Sequence, residues 1–280
     1  MLQVLWPPPK LKPPNNFLLF GLAQMLNRLI GLFLCLPVMA MGQTTPAPLG
    51  MWSYSLGAQR YAEPSMQLVG PEIGLHWRSR PLLGLRQAQL EADALVGLQK
   101  YSSDGTGSKK NVPNVETRWR ILWPSTQWPR ISYGLGFYTH SNYLNVDGRL
   151  TTNGYGGYER QSTQFWLPFR FADSGENWSA LGPVKSVRID AGVLLLGKHV
   201  SKLTQVNANK YIDLNNTQHT GVYLQSQLDY STASGIYSPY VRWTWIDDSD
   251  KANGLRVGRE DYYEPINRRL QIGVEWKYGR

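Results

Sequence analysis

The chain has 280 residues, 42% of them hydrophobic, with 29 Lys and Arg against 20 Asp and Glu. Its one cysteine, Cys35, excludes a disulfide framework and a cysteine-ligated metal centre. Basic residues are scattered, with Lys109-Lys110 and Arg268-Arg269 as the longest runs, so the charge points to solvated loops, lumen charges or an anionic lipid surface rather than a nucleic-acid groove.

Residues 29–40 form an apolar run preceded by Arg28, and Ala40-Met41-Gly42 places small residues where a signal peptidase reads. This predicts a signal peptide over 1–42, cleaved before Gln43. The run is too short for a membrane span of ~20 apolar residues. The Pro-rich stretch 1–24 is unlike a signal head, and Met25 is read as the true start. Cys35 lies within the signal and follows Leu34 rather than a small residue, so lipidation is not expected. Without Lys10, Lys12 and Arg28, the exported part keeps 26 bases against 20 acids. Residues 43–50 read as a flexible lead-in and 51–280 as one all-β domain.

The domain alternates with period two, as strands with one apolar face must. Trp52, Tyr54, Leu56 and Ala58 share a parity, then Ile73, Leu75 and Trp77. Ala88, Leu90, Ala92, Ala94, Val96 and Leu98 oppose Gln89, Glu91 and Asp93. This third segment is rich in helix-formers, and its charge alternation decides for a strand. Val115, Thr117, Trp119, Ile121 and Trp123 oppose Glu116, Arg118 and Arg120. Further rows are Ile131 to Phe137, Phe165 to Phe171, Val187 to Leu195 against Arg188 and Asp190, Val222 to Leu228 against Asp229, and Val241 to Trp245 against Arg242. With the last segment this makes about ten strands (range 8–12) of bilayer-crossing length.

The expected connections are 63–70, 80–84, 102–111, 124–130, 141–160, 172–183, 199–220, 231–238 and 247–267. Odd ones are mostly long and even ones mostly short, the asymmetry of a transmembrane barrel. Trp and Tyr near strand ends fit aromatic girdles. If the apolar rows face lipid, Glu91, Asp93, Glu116, Arg118, Arg120, Arg188, Asp190, Asp229, Arg242, Glu275 and Lys277 face the lumen. In a barrel this narrow, mixed charges predict a salt-bridged filling; a small polar pore is the alternative.

The final segment carries the sharpest signal. In Gln271-Ile272-Gly273-Val274-Glu275-Trp276-Lys277-Tyr278, the apolar residues alternate with polar or small ones. The series Gln271, Gly273, Trp276, Tyr278 resembles the C-terminal assembly signal of bacterial outer-membrane β-barrels, although Gly279 and Arg280 follow where that family usually ends on an aromatic residue. The resemblance implies an antiparallel, up-and-down transmembrane β-barrel in the outer membrane, with the barrel-assembly machinery, outer-membrane lipid and lipopolysaccharide as partners.

Two pieces bear on catalysis. His140-Ser141-Asn142 resembles the His-x-Ser-Asn signature of barrel lipid A deacylases, but adjacency sends His140 and Ser141 to opposite faces of a strand. Asp247-Asp248-Ser249-Asp250 loosely resembles the acidic half of omptin protease sites at the extracellular rim. No cofactor, metal site or nucleic-acid partner is expected. The reading is a structural or surface-interaction barrel, with a rim enzyme acting on lipid A or peptides and a narrow passive channel as alternatives.

Overall fold

The computed structural model describes residues 50–174, 184–233 and 235–277. The expected signal peptide, nearly all of the lead-in, and Tyr278 lie outside the described residues. The strands are β1 (Gly50–Glu63), β2 (Met66–Ser79), β3 (Gln89–Ser103), β4 (Gly107–Pro124), β5 (Ile131–Tyr143), β6 (Glu159–Ser174), β7 (Val184–Ser201), β8 (Leu214–Gln218), β9 (Gly221–Thr232), β10 (Gly235–Ile246), β11 (Lys251–Asn253), β12 (Asp261–Tyr263) and β13 (Asn267–Lys277).

Neighbours in sequence pair antiparallel from β1 to β7, then β7 with β9, β9 with β10, and β10 with β13. Pairing of β1 with β13, from Ser53↔Lys277 to Ala62↔Arg268, closes a ten-stranded antiparallel barrel. Closure removes the free sheet edges. The short β8 continues β9: Gly197↔Gln218 and Val193↔Val222 keep one register along β7, interrupted at His219 and Thr220. β11 and β12 form a small hairpin on the connection before β13. The helix-prone third segment is a strand throughout, because β2 and β4 pair along its two edges.

The period-two reading of the strands holds in their faces. Leu56, Ile73, Leu98 and Ile272 are 51–61% exposed on the outside, whereas Glu91, Asp93, Arg118, Arg120 and Asp190 are 1–5% exposed inside. A water-soluble domain has the opposite polarity; an apolar band around a hydrogen-bonded, edgeless wall is what hydrocarbon requires. Outward alternation slips at a bulge in β7 that turns Leu195 and Leu196 both outward, and again in β4, where Lys110 and Asn111 are both exposed.

The loop expectation needs correction at both rims: beside Gly50 and Lys277, β9 reaches Thr232 and β10 starts at Gly235, inside the expected loop 231–238, and the opposite rim departs further. β1 and β2 are joined by Pro64 and Ser65 alone, and β3 and β4 by 104–106, where 63–70 and 102–111 were expected as loops. Gly107 takes a positive φ of 83° at the second turn. The physical reason is that these strands continue beyond the apolar band and still have an inner surface to cover. Tyr61, Leu68, Val112 and Leu144 bury one another there, with Met66 and Tyr101 against them, so the connection 144–158 folds inward over the hairpins. Lys109 holds that connection by donating to the carbonyls of Leu144 and Arg149 (the latter 2.9 Å) and by pairing with Asp147 (2.6 Å). The other long connections, 202–213 and 247–266, pack through Leu203, Tyr211 and Leu214 against Tyr158, Leu255 and Tyr262. All three long connections stand at the rim opposite Gly50 and Lys277.

Candidate functional site

The lumen is filled in layers. Nearest the rim of Gly50 and Lys277, Glu275 accepts from Arg78 through both oxygens (2.6 and 3.1 Å), from Ser53, and from Gln227 (3.0 Å). Asp229 holds Lys277 (2.7 Å), Ser186 (2.7 Å) and Ser238 (2.6 Å). Deeper, Arg170 donates to both oxygens of Glu91 (2.6 and 2.9 Å) and of Asp190 (2.6 and 2.9 Å). Arg120 lies between Glu91 (2.9 Å), Asp93 (2.9 Å) and Asp190 (3.3 Å). Arg188 donates to Gln227 and lies 3.7 Å from Asp190. Each of these strands contributes alternate residues to one interior, so charges far apart in sequence meet. The pairing offsets the cost of burying them.

The next layer centres on Gln271. Its amide donates to Gln59 (3.2 Å), Glu72 (3.1 Å) and Glu116 (3.2 Å), and its carbonyl accepts from Arg118. Arg118 also donates to Glu116 (2.8 Å), which pairs with Arg269 (2.8 Å). Arg242 meets rings instead of acids: its guanidinium lies 3.8 Å from the centroid of Tyr223 and 5.4 Å from that of Tyr138, and it donates to Gln225 (3.2 Å). Tyr138, Tyr223, Trp166, Leu194 and Ile246 make an apolar plug inside the lumen. Gly192 lets it close, since a Cβ there would stand 2.3 Å from the Tyr223 ring.

Of the other expected site residues, Gly273 faces inward beside Tyr240, and Trp276 faces outward against Tyr237 (6.2 Å, edge-on). His140 faces the lumen, 7% exposed, accepts at Nε2 from the Asn114 side-chain amide (2.9 Å) and stacks on Tyr61. Ser141 points outward on the same strand, so the two do not form a nucleophile–base pair. Asp248 accepts from the Ile266 amide (2.5 Å), and Asp247 accepts from the Asp248 amide (3.0 Å); this acidic run braces the backbone of its own connection.

A Ser–His–Asp chain stands elsewhere, unanticipated. Asp93 binds His76 Nδ1 (2.9 Å) and His76 Nε2 meets Ser55 Oγ (2.9 Å), on three adjacent strands, with Gly74 leaving the space between them. The cavity beside it, about 10 Å³, has room for no more than one water molecule and admits no acyl substrate. The chain therefore bonds the wall rather than acting as a hydrolase triad.

At the rim of long connections, Arg160 bridges two carboxylates, Glu63 (2.7 Å) and Glu264. Tyr61 donates to Glu63 (2.6 Å), and His199 Nε2 lies 3.2 Å from Glu264 without aligning as a hydrogen bond. Burial pushes the carboxyl of Glu264, on the connection before β13, above its ordinary range despite the Arg160 guanidinium beside it. Above this floor opens a cup of about 300 Å³, walled by Tyr101, Tyr155, Tyr158, Tyr262 and Tyr263. Burial pushes the Tyr158 hydroxyl up to about 12. Among the described residues no group of three His, Cys, Asp or Glu has metal-binding geometry.

Sequence reasoning missed the cup floor, because Arg160 and Glu264 fell in segments read as loops. Arg78 and Arg170 were within reach: each alternates with outward aromatics, Trp77 and Phe169, and belonged with the lumen set.

No protein-family model matches the sequence, and no curated protein does. Solved structures similar in outline include the outer membrane protease OmpT of Escherichia coli (TM-score 0.38, 10% identity, 82% of this chain and 94% of that one). Neisserial surface protein A (0.36, 10%, 82% and 97%) and the β domain of the Bordetella autotransporter BrkA (0.38, 16%, 82% and 99%) are also similar. At these TM-scores the likenesses carry nothing about function. The barrel's own polarity defines its class: a closed β-barrel with a hydrocarbon-facing wall.

Proposed function

We propose that this protein is an integral outer-membrane β-barrel of a Gram-negative bacterium, exported by its signal peptide and inserted by the barrel-assembly machinery through the final strand. It acts as a membrane-embedded scaffold whose long connections face outward and meet lipopolysaccharide or external partners at the tyrosine-walled cup. The observation that carries this reading is the combination of an apolar outer band with a lumen closed by paired charges and the Tyr138–Trp166–Tyr223 plug. A passive channel needs a continuous polar path, and the buried Tyr138–Trp166–Tyr223 cluster speaks for a filled lumen instead. A lipid A deacylase or omptin-like site needs His140–Ser141 or Asp247–Asp248 to act together, and their side chains are separated or engaged with backbone.

The test uses protein refolded in detergent, with SDS gel mobility before and after boiling and circular dichroism alongside. A heat-modifiable, β-rich band with no steady conductance in planar bilayers supports the scaffold. A soluble protein without a heat shift overturns the membrane assignment, and ohmic conductance overturns the closed lumen.

A further inference from the structure

On the outside of the barrel, the apolar band ends in a cluster of cations on one side. Arg268 on β13, Arg60 on β1 and Lys100 on β3 are the first outward residues beyond the apolar run of their strands, toward the rim of long connections. Lys110 on β4 lies opposite Lys100 across a bulge, where the β3–β4 register shifts between Gln99 and Tyr101. Arg60 pairs in register with Leu270 and with Val69, and Val69 pairs with Lys100; Arg268 is diagonal to Arg60 through Ala62. Gln67, the corresponding residue on β2, donates no charge and accepts from Arg60 (3.2 Å). The four cations therefore form one patch across five adjacent strands. All four are exposed, and among the described residues none is ion-paired with an acid. The other strands form no second cluster: Thr139 on β5, Thr163 on β6, Thr220 after β8 and Asp247 after β10 end their apolar rows, and Lys198 on β7 stands alone, in register with Thr163 and Thr217.

Unpaired like charges held side by side repel, and no acid of the barrel's own described surface is paired with them. A layer of anions at the edge of the hydrocarbon gives them a reason to cluster. We propose that Arg60, Lys100, Lys110 and Arg268 form a docking site for the phosphate groups of lipid A in the leaflet beside the long connections. The site rests on the outer-membrane reading and makes it specific: lipid phosphates are held on the β13–β4 side, with acyl chains lying on Leu56, Ile73, Val96, Leu98 and Ile272 below. The geometry matches a headgroup carrying more than one phosphate, because the cations spread over several strand spacings of about 4.8 Å.

The experiment titrates detergent-refolded protein with phosphatidylcholine vesicles containing bisphosphorylated lipid A, and with the same vesicles containing its monophosphorylated form. Each removed cation is expected to weaken binding roughly fivefold at low salt. Lys100→Gln/Lys110→Gln thus loses about 25-fold and the variant that also carries Arg60→Gln and Arg268→Gln loses more. Arg80→Gln/Lys185→Gln, which removes equal charge from the opposite rim, changes binding little. Wild-type protein prefers the bisphosphorylated lipid, and high salt erases the difference. Equal losses in the patch and control variants, or no preference between the lipids, overturn the site. The heat-shift assay separates the two failures: a folded, heat-modifiable barrel without the preference refutes only the docking site, whereas a wild type with no heat shift refutes the membrane reading itself.

Discussion

Replacing Glu91 by Gln tests whether the lumen is a dry, paired network. Glu91 has no exposed side-chain surface and accepts both arms of Arg170 (2.6 and 2.9 Å), with Arg120 at 2.9 Å and Arg78 at 3.5 Å. Around it Glu91, Asp93, Asp190 and Glu275 balance Arg78, Arg120, Arg170 and Arg188. The substitution keeps the shape and leaves four guanidinium groups facing three carboxylates. Removing one partner of a buried pair costs about 3–5 kcal/mol, because the remaining charge stays desolvated. Urea unfolding of the micelle-bound barrel, followed by tryptophan fluorescence, reads this as a lower midpoint at unchanged slope. Glu91→Gln/Arg170→Gln restores neutrality, so its cost falls short of the summed single costs by about 1–3 kcal/mol. A single-variant loss below about 1 kcal/mol, the value for exposed pairs, would refute the reasoning: the lumen charges would then be screened by water, and the plug would leak.

Other expectations follow from the same geometry. Val96→Arg, in the middle of the outer band, destabilises the barrel in lipid by about 2–4 kcal/mol, measured by urea titration in vesicles; a neutral effect would place that row in water. Gly192→Ala drives a Cβ to 2.3 Å from the Tyr223 ring, shifting the ring off Arg242 and costing about 1–3 kcal/mol, with a changed emission from the adjacent Trp166 as the check. Lys109→Met frees the connection 144–158, raising its hydrogen exchange while leaving the strands protected. Asp147 adds a pH dependence to that tether. Burial raises its carboxyl, but hydrogen bonds from Lys109 and Arg149 outweigh this and hold it below its ordinary value. A depressed folded value makes the stabilisation fully present above the ordinary aspartate pKa of about 3.9 and lost as pH falls through the folded value. Exchange in 144–158, corrected for its intrinsic rate, is therefore flat near neutrality and rises in acid; a rise within the neutral range would contradict the assignment.

The sequence by itself determined the strands and their faces. Alternation is local, and one apolar face per strand is enough to read it, even in the helix-prone Gln89–Ser103, where Glu91 and Asp93 mark the inner side. The alternation of the final strand is likewise written in adjacent residues. Only the tertiary structure decided where the strands end and what the inner faces meet. Expected loops at 63–70 and 102–111 became strand because Leu144, remote in sequence, covers Tyr61, Leu68 and Val112. Arg242 reads as one more lumen charge until barrel closure sets Tyr138 and Tyr223 against it. Arg160 and Glu264 become a cup floor only when 144–158 and 247–266 fold across the mouth. Period two fixes which side of the wall a residue faces, whereas its partner across the lumen depends on closure and stagger, which no short stretch of the chain encodes.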